Sequence, residues 1–253
     1  MIRAQFLTRS SLDSDRFGLS VVRGDIPEGA PENAVLLDVN RLAPDVAIFR
    51  CAAGDTSQIN ALYSAGLQPI HADTLVYYSA EIGGIKTSLK PEQGEEIGAA
   101  LRDDSDMIRE VAKLAFSGYR SHYHANPRFD RERILAGYIE WSSAYTRAHS
   151  GLEVRVARQA GQVTGFAMFK VDSRRAMAEV VLNAVHPNHM GRGVYQRIFS
   201  ALANDLCGRG ITALEISTQV WNSRVQRAWV RLGLLPDHAV DTYHVNVPVG
   251  FMR

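Results

Sequence analysis

Residues Ala178–Phe199 read AEVVLNAVHPNHMGRGVYQRIF. The first eight are almost all apolar, the pattern of a strand buried on both faces. Pro187 cannot continue a ladder, and Met190-Gly191-Arg192-Gly193 forms a glycine loop ahead of a helix starting at Val194. Glycines let successive backbone N–H groups converge, and a helix start adds its positive end, so this unit suits an anion such as a pyrophosphate. Arg192 can add charge-assisted bonds. A plain tight turn would look the same, and the loop alone leaves both readings open. A Rossmann site is disfavoured, because no G-x-G-x-x-G with a following acidic residue is present. A P-loop is excluded, because G-x-x-x-x-G-K-[ST] is absent.

Working outward, Glu153–Arg158, Val163–Val171 and Ala176–Val185 read as three successive strands. After the loop come a helix over Val194–Leu206, a strand at Ala213–Ser217, a helix from Asn222 that stops at Gly233, and a last strand near Thr242–Val247. The middle, Asp104–Arg147, reads as two helices interrupted by a polar, aromatic-rich run from Tyr119 to Phe129. Before it, Phe17–Val22, Ala34–Leu37, Val46–Cys51 and Thr74–Ser79 read as strands. Asp55 caps a helix that Gly66 ends. Ile82–Gly94 is the linker candidate, with Gly83-Gly84 and Pro91. An internal echo runs through the chain: Asp55 precedes Leu62 by seven residues and Gly66 by eleven, as Asn222 precedes Trp229 and Gly233. Both units sit between short strands, which predicts one strand–helix–strand unit used twice.

Composition bounds the rest. The chain has 253 residues, 46 % of them apolar and 22 % charged, which are globular values and exceed one typical domain of roughly 150 residues. A net charge of +1 argues against a bulk nucleic-acid binder. Arg outnumbers Lys by 24 to 4, which suits planar phosphate recognition and equally reflects codon bias. Cys51 and Cys207 have no metal spacing and read as reduced core thiols. His71, His238 and His244 have no neighbours that suggest a metal site. No membrane span and no secretory leader is legible, so a soluble, cytoplasmic protein is expected.

The C-terminal part, from about Asp104 onward, resembles the GNAT family of acyl-CoA-dependent N-acyltransferases. The resemblance is carried by Val185-His186-Pro187, by Met190 through Tyr195 at the helix start, and by Asn222, Trp229 and Gly233 in register. Within the family the likeness is to the dTDP-fucosamine acetyltransferase type, on Thr218-Gln219-Val-Trp-Asn222 and on Tyr119-Arg120-Ser121-His122-Tyr123 with Asn126-Pro-Arg-Phe129. Three positions depart from the family pattern: Met190 stands for Gln or Arg, Tyr195 for Gly or Ala, and Trp229 for Tyr. The last matters, because a phenol there often protonates the leaving thiolate and an indole cannot.

The resemblance implies an α/β (α+β) fold: a mixed, mostly antiparallel sheet flanked by helices, with a smaller N-terminal half-domain. It implies residues 1–85 as that half-domain, 86–103 as linker and 104–253 as the acyltransferase domain. It implies acetyl-CoA as co-substrate, no metal, and direct attack by the amine of a small molecule, including a dTDP-amino sugar. Neither nucleic acid nor membrane is an expected partner, and a homodimer is compatible. The coenzyme would be held by Ala184, Val185, His186, Met190, Gly191, Arg192, Gly193, Val194, Tyr195, Asn222 and Trp229. A backbone N–H at Val185 or His186 would polarise the thioester carbonyl. Glu179, a carboxylate on an apolar strand, would act as base. Tyr119, Arg120, His122, His124, Arg128 and Phe129 would meet the acceptor, Arg pairing with phosphate and aromatics stacking on a base. A non-catalytic binding module, an antibiotic-type amine acceptor and a longer acyl chain remain as alternatives.

Overall fold

The computed structural model describes residues 5–86 and 90–251. Residues 1–4 of the N-terminal stretch, 87–89 of the expected linker and 252–253 of the expected catalytic domain lie outside it. Two compact units are present: Met1–Leu75 with Arg120–Ile134 and Ala239–Arg253, and Val76–Tyr119 with Leu135–His238. Their limits differ from the linear division 1–85, 86–103 and 104–253, because the aromatic run after Tyr119 and the last strand fold with the N-terminal residues.

The first unit contains β1 (Thr8–Arg9), α1 (Ser11–Phe17), β2 (Val21–Asp25), α2 (Ala34–Leu42), β3 (Val46–Ala52), α3 (Ser57–Ser64) and the start of β4 (Pro69–Glu81). Its sheet has β3 parallel to β2 on one side and antiparallel to β10 (Leu235–Asn246) on the other. Val22, Val35, Val39, Ala47, Phe49, Leu62 and Val245 make its apolar core. Two expected strands are corrected here. Phe17 ends α1 instead, because Ser10 Oγ accepts from Asp13 N and Gly18 closes the helix at φ 67°. Ala34–Leu37 opens α2, because Ala34, Val35 and Val39 bury one helical face and a four-residue apolar run carries no period.

The second unit continues β4 beside β9 (Ala213–Gln219), then β8 (Met177–Val185), β7 (Gln162–Asp172), β6 (Leu152–Gln159) and β5 (Glu95–Ala99). β5 falls within the stretch expected as linker and pairs antiparallel with β6. β6, β7 and β8 form an antiparallel meander, while β8 and β9 run parallel. A parallel pair needs a crossover, which is supplied by α6 (Val194–Gly208). α6 and α7 (Ser223–Leu232) cover one face, with Ile198, Phe199, Leu202, Leu206, Trp229 and Leu232 buried. α4 (Ser105–Phe116) covers the other, with Ile108 and Val111 against Val156, Phe166 and Leu182, and α5 (Arg131–Ser142) follows it in sequence. Cys51 is buried, whereas Cys207 is exposed and not a core thiol.

The sequence echo extends to cap geometry. Gly66 and Gly233 both have φ in the left-handed region, at 83° and 101°. Behind them Leu67 N donates to Leu62 O and Leu234 N to Trp229 O, each at 3.0 Å. Leu62 and Trp229 are both fully buried. The repeated pattern is wider than the one visible in sequence: β2-α2-β3-α3-β4 and β8-α6-β9-α7-β10 have the same order, each with its first two strands parallel.

Candidate active site

The second unit's parallel strand pair comes apart. β8 and β9 are in register from Met177↔Ala213 to Val180↔Ile216, and there the pairing ends although both strands continue. The β7–β8 register shifts at the same level: Met168 pairs with Leu182 and Phe169 with Val180, which leaves Val181 as an extra residue. Such a bulge bends its strand and reverses the alternation of faces. Ala178 and Val180 therefore pack with the α6 core, whereas Leu182 and Ala184 pack with α4.

Beyond the bulge, His186 N donates to Thr164 O across β7 at 2.8 Å. Alternation in an antiparallel ladder then turns the Val185 N–H away from β7, toward the β9 side, where among the described residues β9 no longer pairs with β8. Of the two N–H groups expected to polarise a carbonyl, Val185 has a free one and His186 does not. The His186 side chain is a cap, its Nδ1 accepting from Asn188 N at 3.2 Å.

The glycine loop is shaped by α6. Gly191 and Gly193 both have φ 78°. A Cβ on Gly193 would also meet Arg197 Nη1 at 2.8 Å. That Arg197 donates to the Arg192 carbonyl at 2.8 Å and grips Glu95 on β5 through two bonds of 2.5 and 2.9 Å. No side chain caps the first turn of α6, so the N–H groups of Val194 and Tyr195 remain open to an anion. Met190, Gly191 and Arg192 are exposed. Gly165 lets α6 sit close, since a Cβ there would meet Val194 Cγ1 at 3.2 Å and Ile198 Cδ1 at 3.1 Å.

Trp229 and Tyr195, the two departures from the family pattern, touch. Trp229 is 0 % exposed, and its Nε1 donates to Tyr195 Oη at 2.5 Å. Trp229 is therefore a core residue. Because the indole is the donor, the Tyr195 hydroxyl keeps its own hydrogen. Burial pushes this phenol above its ordinary value, so it stays protonated. Asn222 makes no cap bond; its Nδ2 donates to Thr218 Oγ1 at 3.0 Å. A polar network at the end of β9 was not foreseen: Tyr119 donates to the buried Gln219, and Gln226 Nε2 donates to Val220 O while its Oε1 accepts from Tyr78. The Thr218-Gln219-x-x-Asn222 run was its visible part.

Glu179 does not fit the role of base. It lies in the zipped part of β8, ion-paired with Lys170 at 2.7 Å and opposite Glu215 in register. Six residues of strand, roughly 20 Å, separate it from Val185. Glu215 has a raised carboxyl pKa through burial and then through Glu179, and its ligating oxygen lies within 4.8 Å of those of Asp237 and His238. Asp237 and His238 are exposed, which makes this a solvated charged cluster.

The expected acceptor residues divide. Tyr119 belongs to the second unit and the other five to the first. Among those five, Arg120 is exposed, and Arg128 is tied to Asp45 through the backbone carbonyl at 2.8 Å. His124 accepts from Ser121 N at 3.1 Å, and burial lowers its pKa. His122 and Phe129 are interior: His122 Nδ1 is 2.8 Å from His244 Nε2, and Phe129 packs on Phe17. These two are packing and network residues, not solvated loop groups.

Residues 108–234 match the acetyltransferase (GNAT) family model, half of the chain. The dTDP-fucosamine acetyltransferase of Escherichia coli O6:H1 is 25 % identical over 205 residues, 79 % of this chain and 82 % of that protein. The spore coat polysaccharide biosynthesis protein SpsD of Bacillus subtilis is 23 % identical over 150 residues, 59 % of this chain and 50 % of that protein. A tandem GNAT protein from the clavulanic acid biosynthesis pathway superposes with a TM-score of 0.65 at 10 % identity, over 90 % of this chain and 76 % of that one. Its likeness is one of fold. Among the described residues no helix is long and apolar enough to cross a membrane. The parted parallel strands, the uncapped helix behind a glycine loop and the family match agree: the chain belongs to the GNAT family and is an N-acetyltransferase of that type.

Proposed function

We propose that this enzyme moves the acetyl group of acetyl-CoA to the amine of a small molecule, and that the acceptor is a nucleotide-activated amino sugar. The observation that carries the coenzyme reading is the parting of β8 from β9 past Val180, beside an α6 whose first N–H groups have no side-chain cap. Those N–H groups and the Gly191–Gly193 turn would take the pyrophosphate. The unpaired β8 edge at Asn183 and Val185 would take the amide groups of the pantetheine arm, with Val185 N–H on the thioester oxygen. The amine nitrogen attacks the carbonyl carbon, the C–S bond breaks, and the nitrogen loses its proton to water. The departing thiolate takes its proton from water, since the buried Tyr195 phenol, its pKa raised, is a poor acid. The sugar-nucleotide acceptor is supported by the likeness to a dTDP-fucosamine acetyltransferase and to a spore coat polysaccharide biosynthesis protein.

The test is coenzyme A release from acetyl-CoA against a panel of amines: nucleotide-linked amino sugars, the same sugars without nucleotide, aminoglycosides and peptide N-termini. Preference for the nucleotide-linked set is expected. Turnover only on another class moves the acceptor there, and acetyl-CoA binding without turnover on any amine favours the binding module. A donor series from acetyl to longer acyl chains separates acetyl transfer from its long-chain alternative.

A further inference from the structure

The first unit contains a second polar site, independent of the acyl-transfer reading. Register places Thr242 on β10 opposite Arg50 on β3, and places Ile48 between Arg23 on β2 and His244 on β10. Residues two apart share a face, so Arg23, Arg50, Thr242 and His244 all project from one side of this sheet. It is the side away from the apolar cluster of Val22, Ala47, Phe49 and Val245.

On that face Arg23 is compensated by Asp13 at 3.0 Å, which also accepts from the Tyr123 hydroxyl. Arg50 has no such partner: no carboxylate of the described residues lies within ion-pair distance, and its Nε is buried without a hydrogen bond. Thr242 and His244 are 0 % exposed, and Thr242 Oγ1 and His244 Nδ1 are likewise buried and unpartnered. Three unmade bonds on one face are unusual in a folded interior, and one of them is on a cation that makes no ion pair with Asp25, the carboxylate opposite it on β2. Both rings are held neutral, by burial first, so one ring donates to the other at 2.8 Å, and in the tautomer where His122 Nδ1–H donates to His244 Nε2, the one the anion reading requires, His244 presents an N–H at Nδ1. A guanidinium, a hydroxyl and an imidazole N–H are three donors, and half-buried Arg50 is the member that reaches solvent.

We propose that Arg50, Thr242 and His244 bind a phosphate-type oxoanion, supplied as free phosphate or as the phosphate of a nucleotide. A guanidinium matches two oxygens of such a group in a fork, and the hydroxyl and imidazole complete its shell.

The test uses the full chain. Inorganic phosphate and, in a second arm, thymidine diphosphate are titrated calorimetrically at constant ionic strength, with chloride as the control ion. Saturable binding of one or both, absent with chloride, is expected. Arg50→Gln is expected to weaken it about tenfold or more. Thr242→Val, isosteric and apolar, is expected to weaken it too, and it keeps the test open if Arg50→Gln fails to fold. Far-ultraviolet circular dichroism checks folding of both variants. Phosphate binding alone identifies a free-anion site, and diphosphate binding alone identifies a nucleotide site. If neither binds, or if both folded variants bind as the parent does, the three atoms are satisfied by ordered water and the proposal is overturned.

Discussion

At the scale of single residues, Gly193 and Tyr195 bear most on coenzyme chemistry. Gly193 has a left-handed backbone and Arg197 Nη1 within 2.8 Å of where a Cβ would stand. Gly193→Ala combines an αL strain of about 1 kcal/mol with displacement of the guanidinium. A melting point several degrees lower and coenzyme A binding weaker by about tenfold are expected, read by calorimetry. Tyr195→Phe removes one oxygen from a packed ring that stacks on Phe199 at 4.6 Å. A buried phenol of raised pKa is a poor acid, so kcat is expected to change by less than about threefold while the lost Trp229 bond lowers the melting point. A fall in kcat of about 100-fold at unchanged acetyl-CoA affinity would instead place the phenol in the chemistry. His244 governs acid behaviour. Burial and then Arg23 bring its pKa down to about 3. The unfolded chain therefore takes up a proton near pH 6.5 that the folded chain refuses until about pH 3. Stability is whole well above pH 6.5 and lost as pH falls, by about 1.4 kcal/mol at pH 5.5 from this group. Asp13, Arg23, Tyr123 and His122 lie against it, and Arg50 is on the same sheet face. Urea denaturation at pH 7.5 and 5.5 should show that loss reduced in His244→Gln; equal losses in both proteins would contradict the assignment.

At the scale of elements, the site depends on two strands that part and one helix held in place. Arg197 joins α6 to β5 through Glu95, whose residue is only 9 % exposed, and to the glycine loop through the Arg192 carbonyl. Removing one partner of a buried ion pair leaves the other charged and unpaired, which costs about 3–5 kcal/mol. Arg197→Met should therefore be destabilising by that amount in denaturant unfolding, whereas Arg197→Met with Glu95→Leu should recover most of it. A double variant as unstable as the single one would show that α6 is held by something else. Elements from Glu153 onward were legible because each is a long periodic run bounded by turn residues: Val154 and Val156 alternate, Gly161 has the positive φ its turn requires, and Gly233 closes α7. α1 and α2 were missed because both are short. In Phe17–Val22 a helix end and a strand start adjoin, so a single apolar window averages two elements. The Val181 bulge was illegible, since one extra residue on a strand has no local mark and appears only against its partner.

At the scale of the whole molecule, the repeated β-α-β-α-β order raises the question of how many coenzymes one chain takes. The two connections in question differ in chemistry. In the second unit Met190-Gly191-Arg192-Gly193 precedes α6, and β8 leaves β9 partway. In the first unit the corresponding connection is Ile26-Pro27-Glu28-Gly29-Ala30-Pro31-Glu32-Asn33. Its two prolines lack N–H donors and its two glutamates repel phosphate. β2 stays paired with β3 along its entire length, from Val21↔Val46 to Asp25↔Arg50. Calorimetric titration with acetyl-CoA should therefore saturate at about one coenzyme per chain, and a stoichiometry near two would show that the first unit kept the site.

By itself the sequence determined the strand–glycine loop–helix unit at 178–199, the helices closed by Gly66 (though Thr56, not the expected Asp55, opens the first) and Gly233, and through them the family. Those features are local: a period of two or 3.6, a glycine where φ must be positive, an uncapped helix start, all set within a few residues of backbone. Only the tertiary structure decided that residues 120–134 belong with the N-terminal strands, that Glu179 is paired with Lys170, that Tyr195 meets Trp229, and that Arg50, Thr242 and His244 share one face. Each of the last three is a matter of register or packing between elements, and His122 and His244 meet across 122 residues of chain. Side-chain chemistry names what a residue can do, whereas the register of non-neighbouring strands selects the groups it does it with.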